Sequence, residues 1–320
     1  MRLYRQSRRD SLITTVTLNA AVDKTYYLER FAAGQVHRVA RQAAEPGGKG
    51  NNVAKVIRLL GGEVTSTGIV GGGNGAFIER RLTERGIHTA FIQADEESRV
   101  CLNIIDESGG SSTELLEPGP ETTMDLIAEI KTKVLQLAAL SSVVVLSGSL
   151  PAAAPADLYA ELIESIHSAG APAYLDTSGV AFTLGMSALP FLVKPNEQEL
   201  AAWAGKERLD HNECIQAARQ LAGTGIEQVC VTLGSRGAIA IMAGEGYLVT
   251  PPRVKAVNTV GCGDSFVAGM AFAGEQGEAP VQRLRIAAAA AAANAMSDRA
   301  GHIDYALFKE YVRQVEVKPL

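Results

Sequence analysis

Short apolar runs rich in β-branched residues alternate along the chain with longer segments whose apolar positions recur at helical spacing. The runs predict buried strands at residues 13–18, 64–70, 143–146, 173–176, 191–193 and 228–233. The longer segments predict helices over residues 53–60, 76–85, 124–140, 155–169, 180–186, 213–222 and 283–297, with another opening at 197. Alternation of this regularity indicates an α/β fold with a doubly wound, mostly parallel sheet.

A second group of short strands stands outside this alternation. Residues 22–41, which turn at Gly34, and residues 91–116 predict the strands of a small accessory sheet. No linker or internal repeat divides the chain, so we expect one domain over residues 12–320 with the small sheet inserted into it. Residues 1–11 carry several arginines but no apolar stretch, and we expect them to form a loose head.

Composition narrows the classes of partner. The chain of 320 residues has 30 Lys and Arg against 35 Asp and Glu, a net charge of −5, which offers nothing for nucleic acid or an anionic membrane surface. There is no apolar run of about 18 residues, so we expect no transmembrane helix and a cytoplasmic protein. The four cysteines and five histidines lack the spacing of a zinc site.

The glycine-rich turn Gly261-Cys262-Gly263-Asp264 precedes a predicted helix. Two glycines let a ligand approach the backbone closely, and unpaired amides at a helix start attract an anion. A carboxylate among these amides can take a proton from a nearby hydroxyl, so the turn suggests phosphoryl transfer to an alcohol. The alternative is an ordinary loop in which Asp264 only caps the helix.

Polar side chains at other predicted strand ends supply complementary chemistry. Sugar hydroxyls could be bound by Asp23, Asn52 and the amides near Gly48. A substrate phosphate could be bound by Lys49, Arg99 and the Ser147 to Ser149 turn. Nucleotide phosphates could be contacted by Lys194, Asn196 and Glu199, which could also contact Mg²⁺ through water. Each of these has a structural alternative, such as a turn former for Asp23 or a helix cap for Ser149.

Two more glycine motifs need separate interpretation. Residues 47–50 lack the upstream glycine spacing and the Ser or Thr of a Walker A loop. Residues 71–76 meet the loose dinucleotide pattern, with acids following at 95–97, which keeps a dinucleotide-dependent oxidoreductase as an alternative.

In their order along the chain, residues 17–23, 47–54, 194–200 and 261–264 resemble the motifs of the ribokinase-like, phosphofructokinase B sugar kinases. The resemblance runs from residue 13 to the C-terminus and is strongest to the ketohexose-phosphate kinases, the 1-phosphofructokinases and tagatose-6-phosphate kinases. Three departures concern Ala20, where proline is usual, Asn51, where the motif has an apolar residue, and Cys262, where alanine is more frequent. None removes a functional side chain, but the loop shape near Asp23 and Asn52 affects which sugar fits.

The resemblance implies a three-layer αβα sandwich with a small β lid, and lids that pair to make a homodimer. It implies an ATP- and Mg²⁺-dependent kinase that converts a ketohexose monophosphate, either tagatose 6-phosphate or fructose 1-phosphate, into the bisphosphate. Asp264 would be the general base and the amides of Gly261, Cys262 and Gly263 the anion hole. Thr232 and Gly234 would line the ATP site, with Asn294 near the adenine. A kinase for another sugar of the same family and a non-catalytic sugar-phosphate sensor are the alternatives.

Overall fold

The computed structural model describes residues 12–320, which form two sheets with helices around the larger one. The strands are β1 (Leu12–Thr17), β2 (Ala21–Leu28), β3 (Arg41–Gly47), β4 (Glu63–Gly71), β5 (His88–Thr89), β6 (Ile92–Ala94), β7 (Arg99–Asp106), β8 (Ser111–Leu116), β9 (Val143–Ser147), β10 (Ala173–Asp176), β11 (Leu192–Val193), β12 (Gln228–Thr232), β13 (Ala238–Met242), β14 (Glu245–Thr250) and β15 (Glu316–Pro319). The helices are α1 (Lys49–Leu59), α2 (Gly72–Thr83), α3 (Met124–Ala138), α4 (Leu158–Ser168), α5 (Gly179–Ser187), α6 (Glu197–Trp203), α7 (His211–Gly223), α8 (Cys262–Glu275), α9 (Pro280–Ala295) and α10 (Tyr305–Gln314). The loose head expected at residues 1–11 lies outside the described residues.

The larger sheet has eleven strands and a parallel centre. Strands β12, β11, β10, β9, β1 and β4 pair in parallel in that order, and β5 and β6 both pair in parallel with β4. Beyond β12 the sheet continues antiparallel through β13, β14 and β15. The predicted α/β class with a mostly parallel central sheet is therefore confirmed.

Both faces of the central sheet are buried, which explains why its strands are continuous apolar runs. On β9, Val143 and Val145 belong to one hydrophobic cluster, and Val144 and Leu146 belong to the other. The first cluster contains α1, α8 and α9, and the second contains α3, α4 and α7. A strand covered by helices on both sides has no solvent face, so apolar and polar residues need not alternate along it.

The smaller sheet has the order β3-β2-β7-β8. Strands β2 and β7 pair in parallel, whereas β3 and β8 pair antiparallel with their neighbours. We call this sheet the lid, because one of its faces lines the cavity described below. Every residue of its edge strand β8 is exposed.

Some predicted strands and one helix start were wrong. The strand expected near residues 36–41 begins only at Arg41. Val36 is 96% exposed, so its apolar side chain does not mark a buried strand. Residues 92–94, which we assigned to the small sheet, pair with β4 of the large sheet instead. The helix expected from residue 76 begins at Gly72. Strand β15 was missed because it is an exposed edge of four residues, and pairing with β14 decides its conformation.

No helix among residues 12–320 is long and apolar enough to cross a membrane.

Candidate active site

A cavity of about 480 Å³ lies between the lid and the carboxyl ends of the parallel strands. Asp176 ends β10, Lys194 follows β11, and Thr232 ends β12, so neighbouring strands deliver polar residues to one edge of the sheet. Open α/β sheets bind their ligands at this edge. The residues predicted from sequence that line the cavity are Asp23, Gly48, Lys49, Asn52, Arg99, Lys194, Asn196, Glu199, Thr232, Gly261, Gly263 and Asp264.

The turn before α8 is fixed by its own backbone. Gly261 has a φ of 81°, a left-handed conformation, and a Cβ there would stand 2.9 Å from the backbone nitrogen of Gly301. The amide and the hydroxyl of Ser265 each donate to the Gly261 carbonyl at 2.8 Å. Glycine is therefore required at residue 261 both for its backbone angle and for space.

The amides at the start of α8 are not equivalent. The Cys262 amide donates to the Thr259 carbonyl at 3.3 Å. The amides of Gly263 and Asp264 have no acceptor within the part of the chain that the structure describes. Because these free donors stand beside the cavity at a helix N-terminus, they favour an anion there.

Asp264 is a buried carboxylate at this helix start, with only 6% of its surface exposed. Its Oδ2 accepts a hydrogen bond from Nδ2 of Asn52 at 2.8 Å. Burial, followed by the negative charge of Asp176, raises the pKa of Asp264, while Lys49, Asn52 and Lys194 oppose the rise. A carboxylate with a raised pKa accepts a proton more readily than an ordinary one.

Two lysines approach the turn, and one buried acid lies between them. The Nζ of Lys194 is 3.2 Å and the Nζ of Lys49 is 3.8 Å from Oδ1 of Asp176, which is 1% exposed. The charge of Asp176 raises the pKa of Lys49. A Cβ on Gly263 would meet the Lys194 ammonium at 3.2 Å, so this cation lies against the glycine turn.

Asp176 was missed as a site residue in the sequence analysis. The available signal was its position as the polar end of a buried strand, the same rule that located Lys194 and Asn196.

The lid end of the cavity presents oxygen acceptors. Asp23 packs over Gly47, where a Cβ would come within 2.2 Å of the Asp23 carboxyl carbon. Burial raises the pKa of Asp23 to about 6, against the opposing charges of Lys55 and Arg99. The buried Oδ1 of Asn52 has no hydrogen-bond partner within residues 12–320, so it is free to accept one from a ligand.

Lys55 is a second residue that the sequence analysis missed. Its ammonium is buried and donates to the carbonyls of Pro46 at 3.0 Å and Ala300 at 2.9 Å. Burial lowers the pKa of Lys55 to about 8. The sequence signal was a lysine inside the buried apolar run of α1.

Arg99 lines the cavity but is partly engaged with the backbone. Its guanidinium donates to the carbonyls of Asn19 at 3.3 Å and Glu117 at 3.1 Å. These bonds fix the start of β7 against the loop after β1.

Five predicted site residues do not line the cavity. Asn294 is 0% exposed and supports the turn from below, because its Nδ2 donates to Val260 O at 2.8 Å and its Oδ1 accepts from the Gly301 amide at 2.8 Å. Cys262 is the second of the five, and its Sγ lies 3.5 Å from the same Nδ2 of Asn294. The other three are Ser147, which is fully buried, Ser149, which accepts from Asn19, and Gly234.

Asn196 and Glu199 form a capping box at the start of α6. Asn196 Oδ1 accepts from the Glu199 amide, and Glu199 Oε2 accepts from the Asn196 amide, both at 2.8 Å. Both residues thus have a structural role that the sequence did not predict, and both also line the cavity. Among residues 12–320 there is no cluster of three or more acidic, histidine or cysteine side chains that could hold a metal ion.

In the glycine motif at residues 71–76, which suggested a dinucleotide, a side chain of the protein occupies the anion-binding position. The carboxylate of Glu97 accepts from the amides of Gly73 and Asn74, both at 2.9 Å, at the start of α2. These bonds hold the pKa of Glu97 below its ordinary value. A Cβ on Gly72 would stand 2.3 Å from the same carboxylate. The place that a pyrophosphate would take at this helix is therefore occupied by a side chain.

The site combines a buried carboxylate at a glycine-rich helix start with two lysines beside it and a small sheet over the cavity. Together with the family match, this arrangement indicates a phosphotransferase of the carbohydrate-kinase class. The chain belongs to the pfkB family carbohydrate kinases, whose family model matches residues 16–303.

The chain is similar to two curated kinases over nearly its whole length. It is 36% identical to tagatose-6-phosphate kinase from Staphylococcus epidermidis, over 96% of this chain and 99% of that protein. It is 34% identical to 1-phosphofructokinase from Haemophilus influenzae, over 95% of this chain and 97% of that protein. The crystal structure of phosphofructokinase-2 from Escherichia coli in complex with potassium is also similar, with a TM-score of 0.89, 27% identity, and coverage of 94% of this chain and 98% of that chain.

Proposed function

We propose that this protein transfers the γ-phosphoryl group of ATP to a hydroxyl of a ketohexose monophosphate, giving the bisphosphate. The observation that carries the proposal is the buried carboxylate of Asp264, held by Asn52 at 2.8 Å beside the free amides of the α8 turn. A base and an anion hole within one turn are what phosphoryl transfer to an alcohol requires. The similarity to a tagatose-6-phosphate kinase and a 1-phosphofructokinase supports the choice of acceptor.

Asp264 acts as the general base in this mechanism. The Asn52 amide fixes one oxygen of the carboxylate, which leaves the other to accept the proton of the acceptor hydroxyl. As the proton moves to Asp264, the acceptor oxygen forms a bond to the γ-phosphorus and the bond to the β-phosphate oxygen breaks, releasing ADP. The raised pKa of Asp264 favours this proton transfer.

The turn before α8 and two lysines stabilise the negative charge of the transferring phosphoryl group. We predicted an anion hole from the amides of Gly261, Cys262 and Gly263, and the hydrogen bond from Cys262 to Thr259 favours Gly263 and Asp264 as the principal donors. The ammonium groups of Lys49 and Lys194 stand on the same side of the cavity, both held by Asp176. Fixed donors and cations of this kind stabilise the transition state without reorganising.

Mg²⁺ fits this site only as a partner of the nucleotide. The Asn196 and Glu199 side chains offer amide and carboxylate oxygens, the ligands that Mg²⁺ prefers, yet they are too few to form a cage. They would therefore hold the ion through water and the triphosphate, where it neutralises phosphate charge. Thr232 lines the cavity beside them and contributes to the ATP site, with Gly234 just beyond it.

The acceptor binds at the lid end of the cavity. Asp23, Gly48 and Asn52 bind its hydroxyls, since all three residues line the cavity and the Oδ1 of Asn52 has no hydrogen-bond partner within residues 12–320. Lys49 and Arg99 bind the phosphate that it already carries. The Ser147 to Ser149 turn, which we predicted as a further phosphate contact, does not line the cavity.

Pairing of two lids into a homodimer is part of the proposal. The edge strand β8 exposes Leu115 at 55% and Leu116 at 64%, which are apolar side chains on a strand with an unpaired side. Sedimentation equilibrium of the wild type and of Leu115→Glu tests the pairing. A dimer that the substitution leaves intact would place the interface elsewhere.

A coupled ADP-release assay tests the proposed function. The acceptors are fructose 1-phosphate, tagatose 6-phosphate, fructose 6-phosphate and the corresponding free sugars, each with ATP and Mg²⁺. We expect kcat/KM to be highest for one of the two ketohexose phosphates named first, and the ratio identifies the substrate. Preference for a free sugar would assign the chain to another substrate class within the family.

The two alternative classes give different results in simple measurements. A dinucleotide-dependent oxidoreductase would be stabilised against heat by NAD(H) and not by ATP. A sugar-phosphate sensor would bind a ketohexose phosphate but release no ADP in its presence. The occupied helix start at Glu97 argues against the first, and the intact Asp264 turn argues against the second.

A further inference from the structure

Asn51 stands where the motif it belongs to has an apolar residue, and the proposed mechanism gives it no role. It lies in the first turn of α1, two residues after Lys49, and is 0% exposed. A buried amide side chain destabilises a fold unless both of its ends find partners. The bonds that Asn51 makes therefore indicate what this polar group does.

Both ends of the Asn51 side chain are hydrogen-bonded. Its Nδ2 donates to the Gly47 carbonyl at 2.8 Å, and its Oδ1 accepts from the Ser66 hydroxyl at 2.7 Å. Ser66, on β4, in turn accepts from the hydroxyl of Thr15 on β1 at 3.3 Å. The donors all point one way, so the chain of bonds runs from the central sheet to a single backbone carbonyl.

That carbonyl belongs to the peptide on which the sugar end of the cavity is built. Asp23 packs against Gly47, where a Cβ would meet the Asp23 carboxyl carbon at 2.2 Å. Gly48 follows with a φ of 96°, and a Cβ there would meet Cγ2 of Thr17 at 2.6 Å. A small rotation of this peptide would therefore displace Asp23, because the Asp23 carboxyl group lies directly against Gly47.

The next peptide, Gly48-Lys49, connects to Asn52. The Asn52 amide donates to the Gly48 carbonyl at 3.0 Å, and the Asn52 side chain holds Asp264. The position of the Gly47-Gly48 segment thus affects Asp23 and Asn52, two groups that bind the acceptor in the proposed function.

We propose that Asn51 is a positioning residue that fixes the Gly47 carbonyl to the central sheet and thereby sets the acceptor-binding geometry of Asp23. An apolar side chain at residue 51 fills the same space but leaves the Gly47 carbonyl without this donor. The inference rests on the proposed function, since it assigns Asp23 to the acceptor. Its effect is on acceptor affinity and selectivity, and not on ATP.

The test compares Asn51→Leu and Ser66→Ala with the wild type. Asn51→Leu removes both bonds, and Ser66→Ala keeps the asparagine but removes the donor that orients it. We expect KM for the acceptor to rise roughly tenfold in Asn51→Leu and less in Ser66→Ala, the range for loss of a buried hydrogen bond. KM for ATP stays within about twofold and kcat within about threefold of the wild-type values, because neither substitution touches the phosphoryl-transfer groups.

Thr14→Val is the matched control. Thr14 is a buried neighbour of Thr15 on β1, and its hydroxyl lies 2.7 Å from that of Ser141, in a bond that does not reach the site. The control should lose thermal stability as Ser66→Ala does but keep the wild-type KM for the acceptor. A general loss of packing would raise KM in all three variants and would overturn the proposal.

The acceptor used is the one with the highest kcat/KM in the ADP-release assay, so an error in naming the sugar leaves the comparison intact. If Asn51→Leu does not fold, Ser66→Ala and the double variant Thr15→Val/Ser66→Ala are measured by the same criteria. An unchanged acceptor KM, or an equal rise in KM for ATP, contradicts the role of Asn51. A wild-type protein that turns over no acceptor refutes the proposed function instead.

Discussion

Asp23→Asn should make the protein more stable at neutral pH while weakening its binding of the acceptor. The carboxylate of Asp23 lies against Gly47 on the neighbouring lid strand, and burial raises its pKa from the ordinary 3.8 to about 6. The unfolded chain ionises Asp23 near pH 4, whereas the native protein keeps the proton until about pH 6. The native state is thus stabilised relative to the unfolded chain at low pH, and this contribution is lost as the pH rises through 6.

The magnitude follows from the two pKa values. At 1.36 kcal/mol for each pH unit, ionised Asp23 costs the native protein ~3 kcal/mol relative to the unfolded chain. Asparagine has nearly the same shape and does not titrate. The free energy of unfolding of Asp23→Asn should therefore exceed that of the wild type by up to ~3 kcal/mol at pH 8, and the difference should shrink to less than ~1 kcal/mol at pH 4.

Urea unfolding of both proteins from pH 4 to pH 8 measures this difference, and calorimetry with the preferred acceptor measures the accompanying loss of affinity. Asp106→Asn is the control, because the amides of Gly109 and Phe31 lower the pKa of Asp106 on a neighbouring strand. Its sign is opposite: the variant should be less stable than the wild type at pH 7. A pH-independent difference for Asp23→Asn would refute the raised pKa of Asp23.

The remaining predictions concern the charge between the lysines and the packing of α8. Asp176→Asn removes a negative charge that raises the pKa of Asp264, so the acidic limb of the pH profile of kcat should move to lower pH. An acidic limb that does not move would contradict the assignment of Asp264 as the general base. Gly269→Ala would place a Cβ 2.6 Å from Cα of Ala287 and should lower the free energy of unfolding by roughly 1–3 kcal/mol. Gly223→Ala, at the end of α7 with open space around it, is the control and should be neutral or slightly stabilising in the same urea titration.

The parallel core could be predicted because a strand that is buried on both faces is a continuous apolar run in the sequence. A continuous run such as residues 143–146 needs no alternation once helices cover both sides, so its identity as a strand follows locally. The lid was harder, because its strands are short and partly exposed. Val36 looked like part of a strand but is almost fully exposed, and residues 92–94 were assigned to the wrong sheet because pairing partners are not local information.

For the site, sequence order located the groups at strand ends but not their mutual contacts. Asp264, Asn52 and Lys194 were all predicted, yet the hydrogen bond between Asp264 and Asn52 spans 212 residues of sequence and required the fold. Asp176 was overlooked because a lone acid after a short strand has no motif of its own. Asn294 was predicted beside the nucleotide but supports the turn from inside, since burial of its amide decides its partners.

The most direct test of the account is turnover and binding by Asp264→Asn. The substitution keeps the shape of the side chain but removes the proton acceptor, so calorimetry should show acceptor binding within about threefold of the wild-type affinity. In the ADP-release assay kcat should fall by at least the ~10²-fold that general base catalysis supplies. A variant that binds the acceptor and retains near wild-type kcat would contradict the central role given to Asp264.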